Sequence, residues 1–574
     1  MRFSSRRAAA STAASLFCLL LLLLLLLCVP AAPAGAAPTG PAAPVGAERL
    51  AAIDSYVRGR MRATGAPGVS YAVVGPDGPV HRRSWGSDGR GDPVTADTPF
   101  LWGSVAKPVT ATAVLTLVQD GRLRLDDRVV DHLPDFRFGG PGHASRVTVR
   151  HLLAQTAGLP GSATFAVADC FDADCPRPAE RVGALDDVRP LGPPGTRYAY
   201  TSANYLVLAA VVESVTGRPF AEHLRRSVLD PAGMDGAIAD RASARRRNLA
   251  PGHQYLWGRP AAIADGVDDG GASYGYLGGD LNDLAAFASL QLRQGRTADG
   301  RTVLTPESVR LMREGNRTAD GAGTGYGLGW RVGGLDGPLD DAVWHTGGTP
   351  GYSAMLFLLP ERNLALVLEQ NLYGLLQDEA VMEIGFGAAR ILADGRAPEG
   401  GASPSLYHWA VWGTTVPAAA LVLAAGRSAL LLRRPAAASR RTVSTVLWCL
   451  AGGAPLIALA LVADRMGPGQ LANWVPDVAV SLWTAVAAGA VTALLRIALA
   501  ARGARGRGRG RGTGPAPGSV PQSAAGTPDL PMSPRGPSGV SELRPHPARP
   551  GRRTGSSRSR RLLRNRSGSP DRRR

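Results

Sequence analysis

The sequence predicts an α+β domain over residues 48–400: one antiparallel sheet built from strands at both ends of the domain, flanked by helices, with a mainly helical region inserted and transmembrane helices after it. Three observations predict it. Strand-like runs bounded by turn residues cluster near both ends of this stretch, helix-period patterns lie between them, and three apolar stretches of bilayer length follow. About 350 residues are ample for a sizeable core.

The chain opens as a secretory signal peptide, residues 1–36. Arg2, Arg6 and Arg7 precede an apolar core at 16–29, and Ala32-Pro-Ala34 and Ala34-Gly-Ala36 offer small-residue cleavage sites. Leu26-Leu27-Cys28 lacks the small residues usual before a lipidated cysteine. Residues 37–47 form a Pro/Ala linker. The folded domain then begins with a helix signalled by Leu50, Ile53, Val57 and Met61, followed by strands at 68–75 and 80–85 around the turn Pro76-Asp77-Gly78. A second helix is expected to run from Ser104 to the stop at Asp120-Gly121, with shorter ones at 149–155 and 202–215. Strands are expected at 325–332, 342–345, 353–359 and 364–370, with a closing helix at 378–392.

Residues 401–501 read as a membrane region with spans near 407–432, 443–463 and 476–501. Buried helices of a soluble fold are the alternative. Arg433, Arg434, Arg440 and Arg441 lie in the first loop between spans, whereas the second carries Asp464, Arg465 and Asp477. The positive-inside rule then places the first loop and the tail in the cytoplasm and the folded domain outside, so the expected location is a multi-pass membrane protein with an extracytoplasmic domain. The tail, 502–574, carries 18 arginines against Asp529, Glu542 and Asp571, or +15 of the chain's +18. Its low-complexity Arg/Gly/Pro composition predicts disorder. No aromatic residue interleaves to stack on bases, so contact with anionic lipid is expected over nucleic acid.

Of five cysteines, Cys18 and Cys28 lie in the signal and Cys449 in an apolar run. Cys170 and Cys175 remain in a short loop of the exported domain, as a disulfide or a metal pair; with no neighbouring His or second Cys pair, the disulfide is the expectation and no metal site is assigned.

Lys107 is the only lysine in the chain, the other 63 basic residues being arginine. An arginine keeps its proton at every physiological pH, whereas a desolvated lysine can lose one and act as a base. Ser104 precedes it by three residues, which on a helix puts the two side chains on one face, roughly 5 to 6 Å apart at Cβ. Ser104 is either a plain N-cap or a serine nucleophile with its base beside it. An acylating serine also needs a proton donor for the leaving group and donors for the oxyanion. Tyr200, ahead of a helical run, and His345-Thr346-Gly347-Gly348, on a late strand, are the candidates. Gly271-Ala-Ser-Tyr-Gly275 fits a G-x-S-x-G pattern, but neither a strand before it nor a helix after it is signalled, so Ser273 reads as a loop residue near the site.

From about residue 52 to 392 the chain resembles the serine β-lactamase-like hydrolases related to class C β-lactamases, D-alanyl-D-alanine carboxypeptidases and esterases. Phe100 to Lys107, Asp120-Gly-Arg-Leu-Arg-Leu-Asp126, His151-Leu-Leu-Ala-Gln-Thr-Ala-Gly-Leu-Pro160, Tyr200 to Glu213, Tyr326-Gly-Leu-Gly-Trp330 and His345-Thr-Gly347 occur in that family's order. The resemblance implies Ser104 as acylated nucleophile, Lys107 as its base, Tyr200 as general acid and base, and His345 beside the substrate, orienting its carboxylate or the tyrosine. It implies Ser104 and Gly348 N–H groups as the oxyanion hole, and Ser202, Asn204, Thr346, Gly347 and Gly348 as substrate-binding residues. Two positions depart from the pattern. Ser202 stands where the family usually has asparagine, with Asn204 two residues on, and His345 stands where β-lactamases commonly have lysine, predicting a pH dependence near 6 to 7.

The expected function is therefore a membrane-anchored extracytoplasmic serine hydrolase acting on small peptide-like amides, esters or β-lactams, with no metal or organic cofactor implied. The alternative is a non-catalytic membrane sensor that binds penicillin or peptidoglycan fragments.

Overall fold

A computed structural model describes residues 45–315, 324–394, 396, 405–434 and 442–510, with only the backbone at 405 and 506–510. The signal peptide, most of the linker, Arg440, Arg441 and the tail beyond 510 lie outside the described residues.

The chain enters through α1 (Ala47–Thr64), which buries Ile53 and Val57 at the predicted helical spacing, and the hairpin β1 (Gly68–Gly75) and β2 (Gly78–Gly86). The middle of the domain holds β3 (Phe100–Leu101), α2 (Ala106–Gln119), α3 (Ala203–Thr216), the hairpin β4 (Gly252–Leu256) and β5 (Arg259–Ala264), β6 (Gly278–Gly279) and α4 (Leu281–Leu292). Strands β7 (Gly325–Tyr326), β8 (Arg331–Val332), β9 (Val343–Thr349), β10 (Tyr352–Leu359) and β11 (Leu364–Gln370) follow, and α5 (Asp378–Leu392) closes the domain.

The seven-stranded sheet has the order β2-β1-β11-β10-β9-β8-β7, every pair antiparallel. β1 lies against β11, so the two ends of the domain meet in mid-sheet as expected. Val69, Tyr71, Val73, Met355, Phe357, Leu366 and Leu368 pack on one face with α1 and α5. Ala72, Val74, Ala354, Leu356, Ala365 and Val367 face the opposite way, into the core shared with α2, α3 and α4. With both faces covered, β10 and β11 read as unbroken apolar runs instead of alternating ones.

Two expectations needed revision. The run 325–332 is a tight hairpin of two-residue strands, because Gly329 takes φ +87° and turns the chain at Gly327-Leu-Gly-Trp330. The β3–β6 and β4–β5 pairs had no signal, since two-residue strands carry no periodicity and Trp257 and Gly258, both at positive φ, close the second hairpin without the usual Asn-Gly.

Beyond the domain, α6 (Ser405–Leu432), α7 (Thr442–Ala463) and α9 (Pro476–Gly510) are each long and apolar enough to cross a membrane. Trp409, Leu423, Leu430, Leu450, Leu461 and Leu494 are exposed on them, an outward apolar surface that a buried helix of a soluble fold would not present. A short helix, α8 (Pro468–Trp474), lies between α7 and α9 and was not anticipated.

Candidate active site

Ser104 sits in one 3-10 turn, Gly103–Val105, feeding α2. It makes no side-chain cap, which removes the plain N-cap reading. The turn is fastened to the sheet on both sides of the chain: Trp102 N–H donates to Leu277 O at 2.9 Å, and the buried Trp102 indole N–H donates to Glu369 Oε2 on β11 at 3.0 Å. Burial raises the Glu369 carboxyl well above its usual range.

The i, i+3 spacing does what helix geometry requires, and Lys107 Nζ lies 2.8 Å from Ser104 Oγ. Lys107 is wholly buried, its nitrogen also 2.8 Å from Tyr274 O and 3.3 Å from Ser202 Oγ, and 5.0 Å from the centre of the Tyr200 ring. Desolvation first, and the Arg331 guanidinium second, push its pKa well below 10.5. No carboxylate pairs with it among the described residues. An amine in this setting gives up its proton readily and can then accept the Ser104 hydroxyl's.

Tyr200 stands over the pair, its buried hydroxyl without a hydrogen bond of its own. Burial raises its pKa, opposed by the neighbouring Ser104 hydroxyl and by Arg331, whose guanidinium lies 5.3 Å from the ring centre. A protonated phenol beside a serine and an amine can donate and relay a proton. Ser202 lines the cleft, its Oγ 3.3 Å from Lys107 Nζ. Asn204 does not: it is fully buried and donates to Gln155 Oε1 at 2.5 Å, behind the cleft. Two residues on a helix are separated by about 200° of rotation, so Ser202 and Asn204 cannot serve one face.

β9 brings up the opposite wall. The Gly347 position is crowded by the serine turn: a Cβ there would lie 2.1 Å from Trp102 O and 2.4 Å from Ser104 N. Gly103, at φ +54°, is squeezed from the other side, where a Cβ would lie 2.3 Å from Gly348 N. These approaches gather the Ser104 and Gly348 N–H groups into one place. β8 pairs with β9 only at Trp344 and Val343, which leaves the stretch from His345 onward without a strand partner on that edge. Gly347→Ala is expected to force the strand off the serine turn, destabilising the fold by about 3 kcal/mol and cutting acylation by about 100-fold. A thermal melt and an acylation time course check both parts.

His345 is buried, with Nδ1 2.7 Å from Thr346 O, a carbonyl that only accepts, so Nδ1 carries the proton and Nε2 keeps a lone pair without a partner. Desolvation, then Arg331, then Lys107, push its pKa well below 6.5, so titration near pH 6 to 7 is not what this environment produces. A neutral Nε2 cannot donate to a carboxylate; it can orient a hydroxyl such as that of Tyr200, whose ring centre is 6.0 Å away.

The cleft enclosing these groups has a volume of about 350 Å³, with Thr346, Gly347 and Gly348 in its lining. Arg331, Asp169, Tyr373 and Trp474 are among the lining residues that the sequence reading did not assign to the site. Arg331 has no ion-pair partner among the described residues, and its place directly after the Tyr326-Gly-Leu-Gly-Trp330 hairpin was the one available signal. Cys170 and Cys175 form a disulfide in the loop that carries Asp169. Ser273 lies in a loop, its carbonyl accepting from Thr110 Oγ1 at 2.8 Å, away from any strand–turn–helix elbow.

A family model described as Beta-lactamase matches residues 53–384. Penicillin-binding protein 4 of Amycolatopsis lactamdurans is 33% identical over 53% of this chain and 81% of its own length. Protein flp of Staphylococcus aureus is 23% identical over 56% of this chain and 62% of its own, so this chain spans about three fifths of that relative. Among solved structures, the octameric penicillin-binding protein homologue from Pyrococcus abyssi superposes with a TM-score of 0.52 at 21% identity, covering 64% of this chain and 81% of that one. EstCE1, a hydrolase with promiscuous acyltransferase activity, does so with 0.52 at 21% identity over 60% and 98%. These superpositions show a β-lactamase/transpeptidase-like fold.

Proposed function

Because the chain belongs to the beta-lactamase family of hydrolases, we propose that it is a membrane-anchored extracytoplasmic serine hydrolase that works through an acyl-enzyme on Ser104. The observation that carries this reading is the 2.8 Å contact between Ser104 Oγ and a wholly buried Lys107 amine whose pKa is driven down by desolvation. Neutral Lys107 takes the hydroxyl proton as Ser104 Oγ bonds to the substrate carbonyl carbon. The carbonyl oxygen becomes an anion, held by the N–H groups of Ser104 and Gly348. Tyr200 hands its proton to the leaving nitrogen or oxygen as that bond breaks, and regains one from Lys107. Water then attacks the acyl-enzyme by the same proton route, returning Ser104 and releasing the acid. The unpartnered His345 Nε2 can accept from the Tyr200 hydroxyl once it turns toward it, and so hold the phenol in line. Ser202 and Thr346 contact the substrate.

The substrates are small peptide-like amides, esters or β-lactams. Arg331 offers an unpaired cation to a substrate carboxylate, which favours C-terminal D-amino-acid peptides such as D-Ala-D-Ala ends. Anchoring rests on the three apolar helices. The sidedness rests on Arg433 and Arg434 after the first helix, against Asp464 and Arg465 after the second and Asp477 at the start of the third, with an arginine-rich tail in the cytoplasm contacting anionic lipid.

The test is the intact mass of the full chain in detergent after exposure to a penicillin and, separately, to an activated ester. Addition of one acyl group is expected with each. A long-lived penicilloyl adduct would favour a peptidase over a β-lactamase, and no adduct with turnover of neither reagent would overturn the hydrolase reading in favour of a binding role.

A further inference from the structure

The cleft is not closed by the catalytic domain alone. Trp474, the last residue of α8, lines it together with Ser104, although the two are 370 positions apart in the chain. The indole N–H of Trp474 donates to Asp169 Oδ2 at 2.6 Å, and Tyr276 OH donates to Asp169 Oδ1 at 2.6 Å. One helical turn earlier, Gln470 Nε2 donates to Phe165 O at 2.6 Å. The Trp474 ring stands edge-on to Tyr373, 6.0 Å between centres at 84°. Asp169 is a half-buried acceptor at positive φ, one residue before the Cys170–Cys175 bridge, so the group that catches the indole sits on a stapled loop.

The cleft lining is chemically mixed: Ser104, Tyr200, Arg331 and His345 bring polar groups to it, and Phe165, Ala168, Tyr373, Leu375, Met382 and Trp474 bring apolar surface. Both polar groups on the α8 side, the indole N–H and the Gln470 amide, are spent on the domain, which leaves the ring itself to face a ligand.

Building on the proposed Ser104 chemistry, we propose that α8 is a working wall of the active site and that Trp474 is a specificity-determining residue, selecting substrates whose acyl group carries an aromatic or bulky apolar side chain. The region between the second and third apolar helices then has a role besides connection: it completes the substrate site from the membrane side of the chain, two residues before α9 begins.

The test uses the full chain in detergent micelles and compares kcat/KM for p-nitrophenyl phenylacetate with that for p-nitrophenyl acetate. Trp474→Ala is expected to lower this ratio about tenfold, mainly by raising KM for the phenylacetate, because one lost aromatic contact face is worth that much discrimination. Trp474→Phe keeps a ring but loses the bond to Asp169, and is expected to recover most of the ratio. An equal fall for both esters, with the ratio within twofold of wild type in each variant, would mean a merely structural helix and overturn the proposal. Wild-type chain that cleaves neither ester and takes no acyl group on Ser104 would overturn the hydrolase reading itself, and the wall with it.

Discussion

Ser104→Ala is expected to remove all covalent labelling by penicillin and activated esters, and to lower ester turnover by about 10⁴-fold or more, leaving only what binding and oxyanion donors supply. The substitution deletes one oxygen whose only described hydrogen bond is to Lys107 Nζ, so the fold has little reason to respond. A melting temperature within a few degrees of wild type should accompany the loss. Intact mass of wild type and variant side by side checks the chemistry. An adduct that persists on Ser104→Ala would place the nucleophile elsewhere, and Ser273, buried with an unbonded hydroxyl, is the next serine to replace.

Lys107→Arg should be almost as damaging, by about 10³-fold in acylation rate, although it replaces one basic side chain by another. A guanidinium cannot yield its proton to serve as a base, and its fork does not fit a wholly buried site whose acceptors are one serine, one carbonyl and a second serine hydroxyl. The wild-type acylation rate should rise with pH as Lys107 becomes neutral, along a limb whose midpoint lies well below 10.5. The sign for stability follows the same shift. The unfolded chain holds the lysine proton more tightly than the folded one between the depressed pKa and 10.5, so this group's penalty on folding shrinks as pH rises through that window. The variant should lose the limb altogether. Acylation rates of both proteins across pH, read by intact mass, test the point, and a limb retained in Lys107→Arg would assign the base to another group. His345 adds no break near pH 6 to 7, because its buried ring with Arg331 and Lys107 nearby stays neutral there.

What the sequence determined by itself was everything carried by short spacing or long regularity. Ser104 and Lys107 share a face because three residues make nearly one helical turn. The strands at 68–75, 353–359 and 364–370 and the helix at 378–392 follow from apolar runs between turn residues, and three stretches of bilayer length emerge as three long apolar helices. The four residues between Cys170 and Cys175 are enough to let the chain bring two sulfurs together. Asn204 was misplaced although a helix at 202–215 was expected, because the rotation of about 200° that this helix puts between it and Ser202 was not applied to the motif. The run 325–332 was misread because a glycine turn inside a short apolar stretch leaves no break in periodicity.

Only the tertiary structure decided what depends on distant segments meeting. The neutral state of His345 comes first from its burial and then from Arg331 and Lys107 beside it, and the depression of Lys107 from a dry pocket closed by the Tyr274 carbonyl and the Tyr200 ring. Desolvation is a property of the assembled surroundings and leaves no trace in the spacing of the residues that suffer it. The same holds for the cleft wall: Trp474 and Asp169 are 305 residues apart, and nothing local to either announces that packing the helical region on the domain makes them one hydrogen bond.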